Sequence, residues 1–117
     1  MEALDMSIAR VVTDDSFEAE VLKSPRPVIV EYWAAWCGPC RQVAPVLDSI
    51  AADYGDMIDL VKVNVDENPD TARKYAILHV PTVSVFAGGE VVRQVIGARS
   101  KSALVREFAD VLAPSPR

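Results

Sequence analysis

Two cysteines, the only ones in the chain, lie three positions apart in Trp36-Cys37-Gly38-Pro39-Cys40. One turn of α-helix brings residues i and i+3 onto one face, so a helix starting here holds both sulfurs within disulfide reach. Upstream, Val28-Ile29-Val30-Glu31-Tyr32-Trp33-Ala34-Ala35 is an apolar, β-branched and aromatic run of the kind that forms a buried strand. Downstream, Val43, Val46, Leu47, Ile50, Ala51 and Tyr54 recur at helical spacing. Cys37 therefore falls at a strand-to-helix junction, where unpaired N–H groups and the positive end of the helix dipole favour a thiolate over a thiol. A thiolate is the attacking species in disulfide exchange, which makes Cys37 the nucleophile and Cys40, one turn inside, the resolving thiol. Two blander readings of the pair stand beside this one. Zinc takes about four ligands, and His79 is the only histidine that could join the cysteines. Two inert structural cysteines are also conceivable, but they leave the intervening Gly38-Pro39 unexplained.

Glu31 is the oddity of the strand. An isolated charge amid apolar residues costs several kcal/mol to bury, so its carboxyl must be protonated or have a partner such as Lys62. Burial raises the pKa of such a group and an ammonium lowers it. An acid poised near neutrality can take the proton of Cys40 when that thiol must attack, which is the role expected of Glu31.

At 117 residues the chain is long enough for one domain with its own core. Half of its residues are apolar and a quarter charged, the balance of an ordinary globular chain. A formal charge of -5, with 17 acidic residues against 12 basic ones, argues against a nucleic-acid partner. Met1 to Met6 has neither a basic n-region nor an apolar h-region, and no stretch approaches the ~20 apolar residues of a membrane span. The expectation is a cytoplasmic, membrane-free monomer without a structural disulfide framework.

Residues 1–7 are expected as a loose arm, Ile8 to Val12 as a first strand, and Asp15 to Glu18 as a capping box opening a short helix to Leu22. After Ser24-Pro25-Arg26-Pro27 comes the buried strand, then a helix from Pro39 to Tyr54 that carries Pro45 and stops at Gly55. Ile58 to Val65 reads as a parallel strand. Asn68-Pro69 reads as a cap opening a short helix to Tyr75. Val80 to Phe86 reads as a loop and then a strand, Gly88-Gly89 as a hairpin turn, and Glu90 to Ile96 as the partner strand. Leu104, Val105, Phe108, Val111 and Leu112 define one last amphipathic helix, and 113–117 a tail.

The string Trp36 to Cys40 closely resembles the active site of the thioredoxin family. Asp14-Asp15-Ser16-Phe17, Ala44-Pro45, Lys62-Val63-Asn64-Val65-Asp66, Val80-Pro81-Thr82, Gly88-Gly89 and Ile96-Gly97-Ala98 continue the likeness in order and spacing over residues 8–112. The resemblance implies an α/β thioredoxin fold: a five-stranded mixed sheet, order 1-3-2-4-5, with four flanking helices of which the second and fourth share a face. It implies a cis peptide before Pro81 facing the active-site disulfide, with the backbone of Val80 free to pair with an extended substrate. Trp36, Gly38, Pro39, Val80, Gly97 and Ala98 would form a flat apolar rim around an exposed Cys37 sulfur, with Trp33 packed below. Lys62 would sit by the buried acid.

By the same resemblance the chain reduces protein disulfides, binds no cofactor beyond its own redox-active disulfide, and is re-reduced by thioredoxin reductase, an NADPH-dependent flavoprotein. Gly38-Pro39 is the dipeptide of reducing members, which sets the chain apart from oxidases and isomerases of this fold. A docking subunit in a larger assembly is the alternative, though a scaffold needs no such pair of thiols. Three positions depart from the family pattern. Glu31 stands where aspartate is usual, Tyr32 where phenylalanine is common, and His79, to which no catalytic role is given, where bacterial members usually have glycine.

Overall fold

The computed structural model describes residues 8–112, so the arm 1–7 and the tail 113–117 lie outside the described residues. The elements follow as β1 (Arg10–Val11), a wide helical turn (Glu18–Leu22), β2 (Val28–Trp33), α1 (Gly38–Asp53), β3 (Asp59–Asn64), α2 (Pro69–Lys74), β4 (Thr82–Ala87), β5 (Glu90–Ile96), α3 (Lys101–Glu107) and α4 (Ala109–Leu112). The strands form one five-stranded sheet in the order β1-β3-β2-β4-β5. β1 and β2 run parallel to β3, while β2–β4 and β4–β5 are antiparallel, as the resemblance implied.

The central strand β2 sets the two cores by simple alternation, since successive side chains leave a strand on opposite faces. Val28, Val30 and Tyr32 pack with Val12, Phe17, Val21, Val61, Val63 and Phe86 on one face. Ile29 points the other way, into the layer where Val43, Leu47 and Ile50 of α1 meet Leu104, Phe108 and Leu112. Period two therefore sends Glu31 to the α1 side of the sheet, toward the helix that carries Cys40. At the far end of the sheet both hairpin glycines have positive φ, 61° at Gly88 and 82° at Gly89, the backbone a tight two-residue hairpin demands.

Several local expectations are corrected. The first strand is only Arg10–Val11. The capping box does not form: the Glu18–Leu22 turn has no side-chain cap, and Ser16 Oγ instead accepts from the Thr13 N–H at 2.9 Å. The turn itself is wide, with the Lys23 N–H donating to the Glu18 carbonyl five residues back. Asn68 does not cap α2 with its side chain either. The Asp14 carboxylate does, accepting from the N–H of Asp70 (3.2 Å) and of Thr71 (2.8 Å), while Asn68 Oδ1 accepts from the Asp14 N–H at 2.8 Å. A carboxylate reaching in from another segment satisfies orphan amides as well as a local cap and also suits the helix dipole.

The helix expected to begin at Pro39 starts at Gly38 and continues through Pro45 to Asp53. Gly55 follows its end without a positive φ, and a Cβ there would make a tight contact, 3.0 Å from the Ala51 carbonyl oxygen. The last helix is divided at Phe108, whose ring is fully buried, although the Leu112 N–H still donates to the Phe108 carbonyl at 3.0 Å.

Tyr32 pairs a fully buried ring with a hydroxyl that has no hydrogen-bond partner. Burial, with Tyr75 adding to it, pushes its phenol well above the ordinary range. An unpaired buried hydroxyl costs more than it contributes, so Tyr32→Phe is expected to raise unfolding free energy by about 1 kcal/mol. Urea unfolding checks this, and a loss of similar size would mean that the hydroxyl is bonded in solution.

Candidate active site

The loop 34–37 delivers the chain from the end of β2 to the start of α1, and it is tied at both ends. The Cys37 N–H donates to the Ala34 carbonyl at 3.1 Å. The Arg41 guanidinium reaches back from the first turn of α1 to the Ala35 carbonyl at 3.0 Å. Cys37 is the N-cap of α1, in extended geometry (φ -90°, ψ 107°), and Pro39 occupies the first turn, where its missing N–H costs nothing. Cys37 and Cys40 are joined in a disulfide with their Cα atoms 5.4 Å apart. The Cys37 Sγ also accepts from the Cys40 N–H at 3.2 Å. A helix-start amide aimed at this sulfur lowers the energy of a thiolate on Cys37 once the disulfide opens.

The expected contrast in exposure between the two cysteines is not found: each is only 4% exposed. In the bonded state the two sulfurs shield each other, and Ala34, Trp33, Val65 and Val80 pack around them. What distinguishes the two is position, with Cys37 at the cap and Cys40 inside the first turn.

The Val80–Pro81 peptide is cis. Thr82 Oγ1 donates to the His79 carbonyl at 2.5 Å, and the Gly97 N–H donates to the Pro81 carbonyl at 2.8 Å, so Pro81 is held from both its flanks. Gly97, at φ 94°, turns the end of β5 toward this segment and leaves Ala98 exposed. Gly38 and Pro39 are exposed as well, and Trp36 is 70% exposed with its Nε1–H donating to Asp66 Oδ2 at 2.8 Å. Of these residues Val80, half-buried, packs against the cysteines.

Behind the disulfide lies a cavity of about 180 Å³ lined by Glu31, Lys62, Trp33, Arg41 and both cysteines, with Ala34, Ala35 and Ala44. That is room for more than one water molecule. Glu31 is 4% exposed and pairs in register with Lys62 on β3. Burial lifts its carboxyl from the ordinary 4.5 to about 7, against the pull of Lys62 and with Asp48 adding to the rise. The Lys62 ammonium itself stands 5.9 Å from the centre of the Trp33 ring, which gives half-buried Trp33 an electrostatic part beyond packing. His79 does not line this cavity; it belongs to a separate groove with Trp36 and Val80.

Three residues of the site had been given no role from the sequence, although Asp66 ends one of the quoted motifs. Asp66 anchors the Trp36 indole, Arg41 ties the loop, and Asp48 acts on Glu31. Arg41 and Asp48 sit four and eleven positions beyond Cys37, so helical spacing from that cysteine was the available signal. Among the described residues no group of three or more His, Cys, Asp and Glu is arranged to hold a metal.

A disulfide at the head of a helix, an amide on the sulfur of its cap residue and an acid titrating near neutrality behind it are the parts of a thiol–disulfide oxidoreductase. The thioredoxin family model matches residues 8–110. A thioredoxin of Streptomyces clavuligerus is 54% identical over 99 residues, covering 85% of this chain and 92% of that protein. Thioredoxin 1 of Synechococcus elongatus is 52% identical over 99 residues, covering 85% and 92%. A bifunctional thioredoxin reductase/thioredoxin of Mycobacterium leprae is 43% identical over 111 residues, 95% of this chain but 24% of that longer protein. The chain belongs to the thioredoxin family, and its redox group is the Cys37–Cys40 disulfide itself.

Proposed function

We propose that this protein is a reductase of protein disulfides that attacks through Cys37 and resolves through Cys40. The observation that carries the assignment is the Cys40 N–H on the Cys37 sulfur, which favours negative charge there and not on Cys40. The Cys37 thiolate attacks one sulfur of a substrate disulfide; that S–S bond breaks, the other substrate sulfur leaves as a thiolate and takes up a proton. Cys40 then gives its proton to Glu31 through the cavity and attacks the Cys37 sulfur, releasing the second substrate thiolate. Two electrons pass to the substrate, and the protein is left with its Cys37–Cys40 disulfide. Lys62 tunes the acid, while Pro81, Gly38 and Pro39 shape the approach. Trp36, Val80, Gly97 and Ala98 form the surface on which the substrate chain lies, pairing with the backbone of Val80.

The oxidised protein is restored by thioredoxin reductase drawing on NADPH. The naming of one relative as a fusion of reductase and thioredoxin supports that partnership. No helix among the described residues is long and apolar enough to cross a membrane. We read the protein as a cytoplasmic monomer that serves cell redox balance without a nucleic-acid or membrane partner. Insulin with dithiothreitol tests the activity: turbidity should appear many times faster with the protein present. NADPH and thioredoxin reductase should replace dithiothreitol. Turbidity at the background rate in both assays would overturn the assignment.

A further inference from the structure

With 17 acidic residues against 12 basic ones the chain has an excess of carboxylates, and most of its cations sit against one. Arg10, Arg26, Arg93 and Lys101 are each paired in this way. Arg99 is not. Among the described residues its exposed guanidinium is bonded only to the Ile96 carbonyl, at 3.3 Å, which leaves most of its N–H donors unused. It follows Ala98 on the segment that leads from β5 past Pro81. The backbone of that segment is fixed on both sides of Arg99. The Gly97 N–H donates to the Pro81 carbonyl at 2.8 Å, and Ser100 caps α3, its Oγ accepting from the Ala103 N–H at 3.2 Å. A guanidinium on a fixed base beside the site, with no carboxylate of its own, is open to one from outside.

We infer that Arg99 is a specificity-determining residue: its guanidinium receives a carboxylate that flanks the cysteine under attack, so the protein selects disulfides set in acidic polypeptide. The inference rests on the reductase reading given above, in which the substrate chain lies over Gly97 and Ala98. The planar fork of a guanidinium matches a carboxylate through parallel hydrogen bonds, which a lone ammonium cannot reproduce. The net charge of -5 acts in the opposite sense and repels acidic partners in general. Salt screens charges more than about 10 Å apart, so at contact the adjacent guanidinium outweighs that diffuse excess. Arg41, the other guanidinium near the cysteines, is committed elsewhere. It donates to the Ala35 carbonyl at 3.0 Å and lines the cavity behind the disulfide.

The test uses two disulfide-linked peptide dimers, one with glutamate and one with glutamine two residues to each side of the cysteine. Second-order rate constants for their reduction are followed by chromatography. Each is divided by the rate with dithiothreitol, which removes the effect of the flanks on the disulfide itself. At low salt the parent should favour the glutamate peptide by roughly threefold, the scale of an exposed charge pair. Arg99→Gln should bring the ratio to one or below, Arg99→Lys should keep part of it, and high salt should erase it in the parent. Because Arg99 is exposed, neither variant disturbs the core, and any general loss of rate cancels from the ratio. A parent ratio of one or less, or a preference undiminished in Arg99→Gln, would overturn the subsite. A preference kept in Arg99→Gln but lost in Arg41→Gln would overturn it in favour of Arg41. Failure of the parent on both peptides, while dithiothreitol reduces them, would overturn the reductase reading and the subsite with it. Absence of the glutamate preference alone leaves the reading intact.

Discussion

Cys40→Ser is expected to hold substrates as stable mixed disulfides on Cys37, whereas Cys37→Ser should hold almost none. The asymmetry follows from where the two sulfurs sit. Cys37 caps α1 and receives the Cys40 N–H at 3.2 Å, an interaction made by the backbone and so retained when the Cys40 side chain becomes a hydroxyl. The first attack therefore survives the substitution, and only resolution is lost. In Cys37→Ser the remaining thiol lies inside the first turn, buried beneath the loop and without that amide. Steady-state insulin reduction should fall to background in both variants, a loss of several orders of magnitude on the scale usual for removing a nucleophile. The two differ only in what they retain, which mass spectrometry of the protein after exposure to oxidised substrate reads directly. Equal trapping by both variants would reverse or abolish the assigned order.

Much of this site was legible in the sequence because its parts lie close together along the chain or alternate on one strand. The cysteine spacing, the strand before it and the helix after it identify the junction, and strand alternation alone turns Glu31 toward α1. What escaped depends on contacts between distant segments. Asp14 caps α2 across 57 residues, a place that local capping rules gave to Asn68. Trp36 finds Asp66 across 30 residues, and nothing in either neighbourhood marks the other. The mutual shielding of the sulfurs was missed for a different reason. Helix position argues about charge on a free thiol, while exposure depends on whether the disulfide is closed and on how the loop 34–37 packs over it.

Glu31→Gln is expected to slow resolution at neutral pH and at the same time to flatten the protein's stability against pH. Both effects come from one displaced titration. The carboxyl is raised from 4.5 to about 7, chiefly by burial, against Lys62 and with Asp48 contributing to the rise. An acid whose pKa is raised by folding holds its proton more tightly in the folded than in the unfolded chain. Below the unfolded value both states are protonated and the group is without effect. Between the two values the folded state keeps a proton that the unfolded state gives up. Stability therefore declines as pH rises through that window, by on the order of 3 kcal/mol in all, and levels off once the folded group has also ionised. A glutamine has no proton to lose, so the variant's advantage over the parent should be small at pH 5 and large at pH 8, as urea unfolding of the oxidised proteins would measure. Kinetically the same carboxyl is half ionised near neutrality, where it can accept the Cys40 proton, and the amide cannot. Decay of a preformed mixed disulfide should then be slowed by roughly 10²-fold or more, while formation of that mixed disulfide through Cys37 is much less affected. Glu31→Asp restores a carboxyl one methylene shorter and should recover much of the rate. Parallel stability curves for parent and Gln variant would show that Glu31 does not titrate in the fold. Resolution by the variant at the parent rate from pH 6 to 8 would remove Glu31 from the proton path, leaving water in the cavity to take the proton directly.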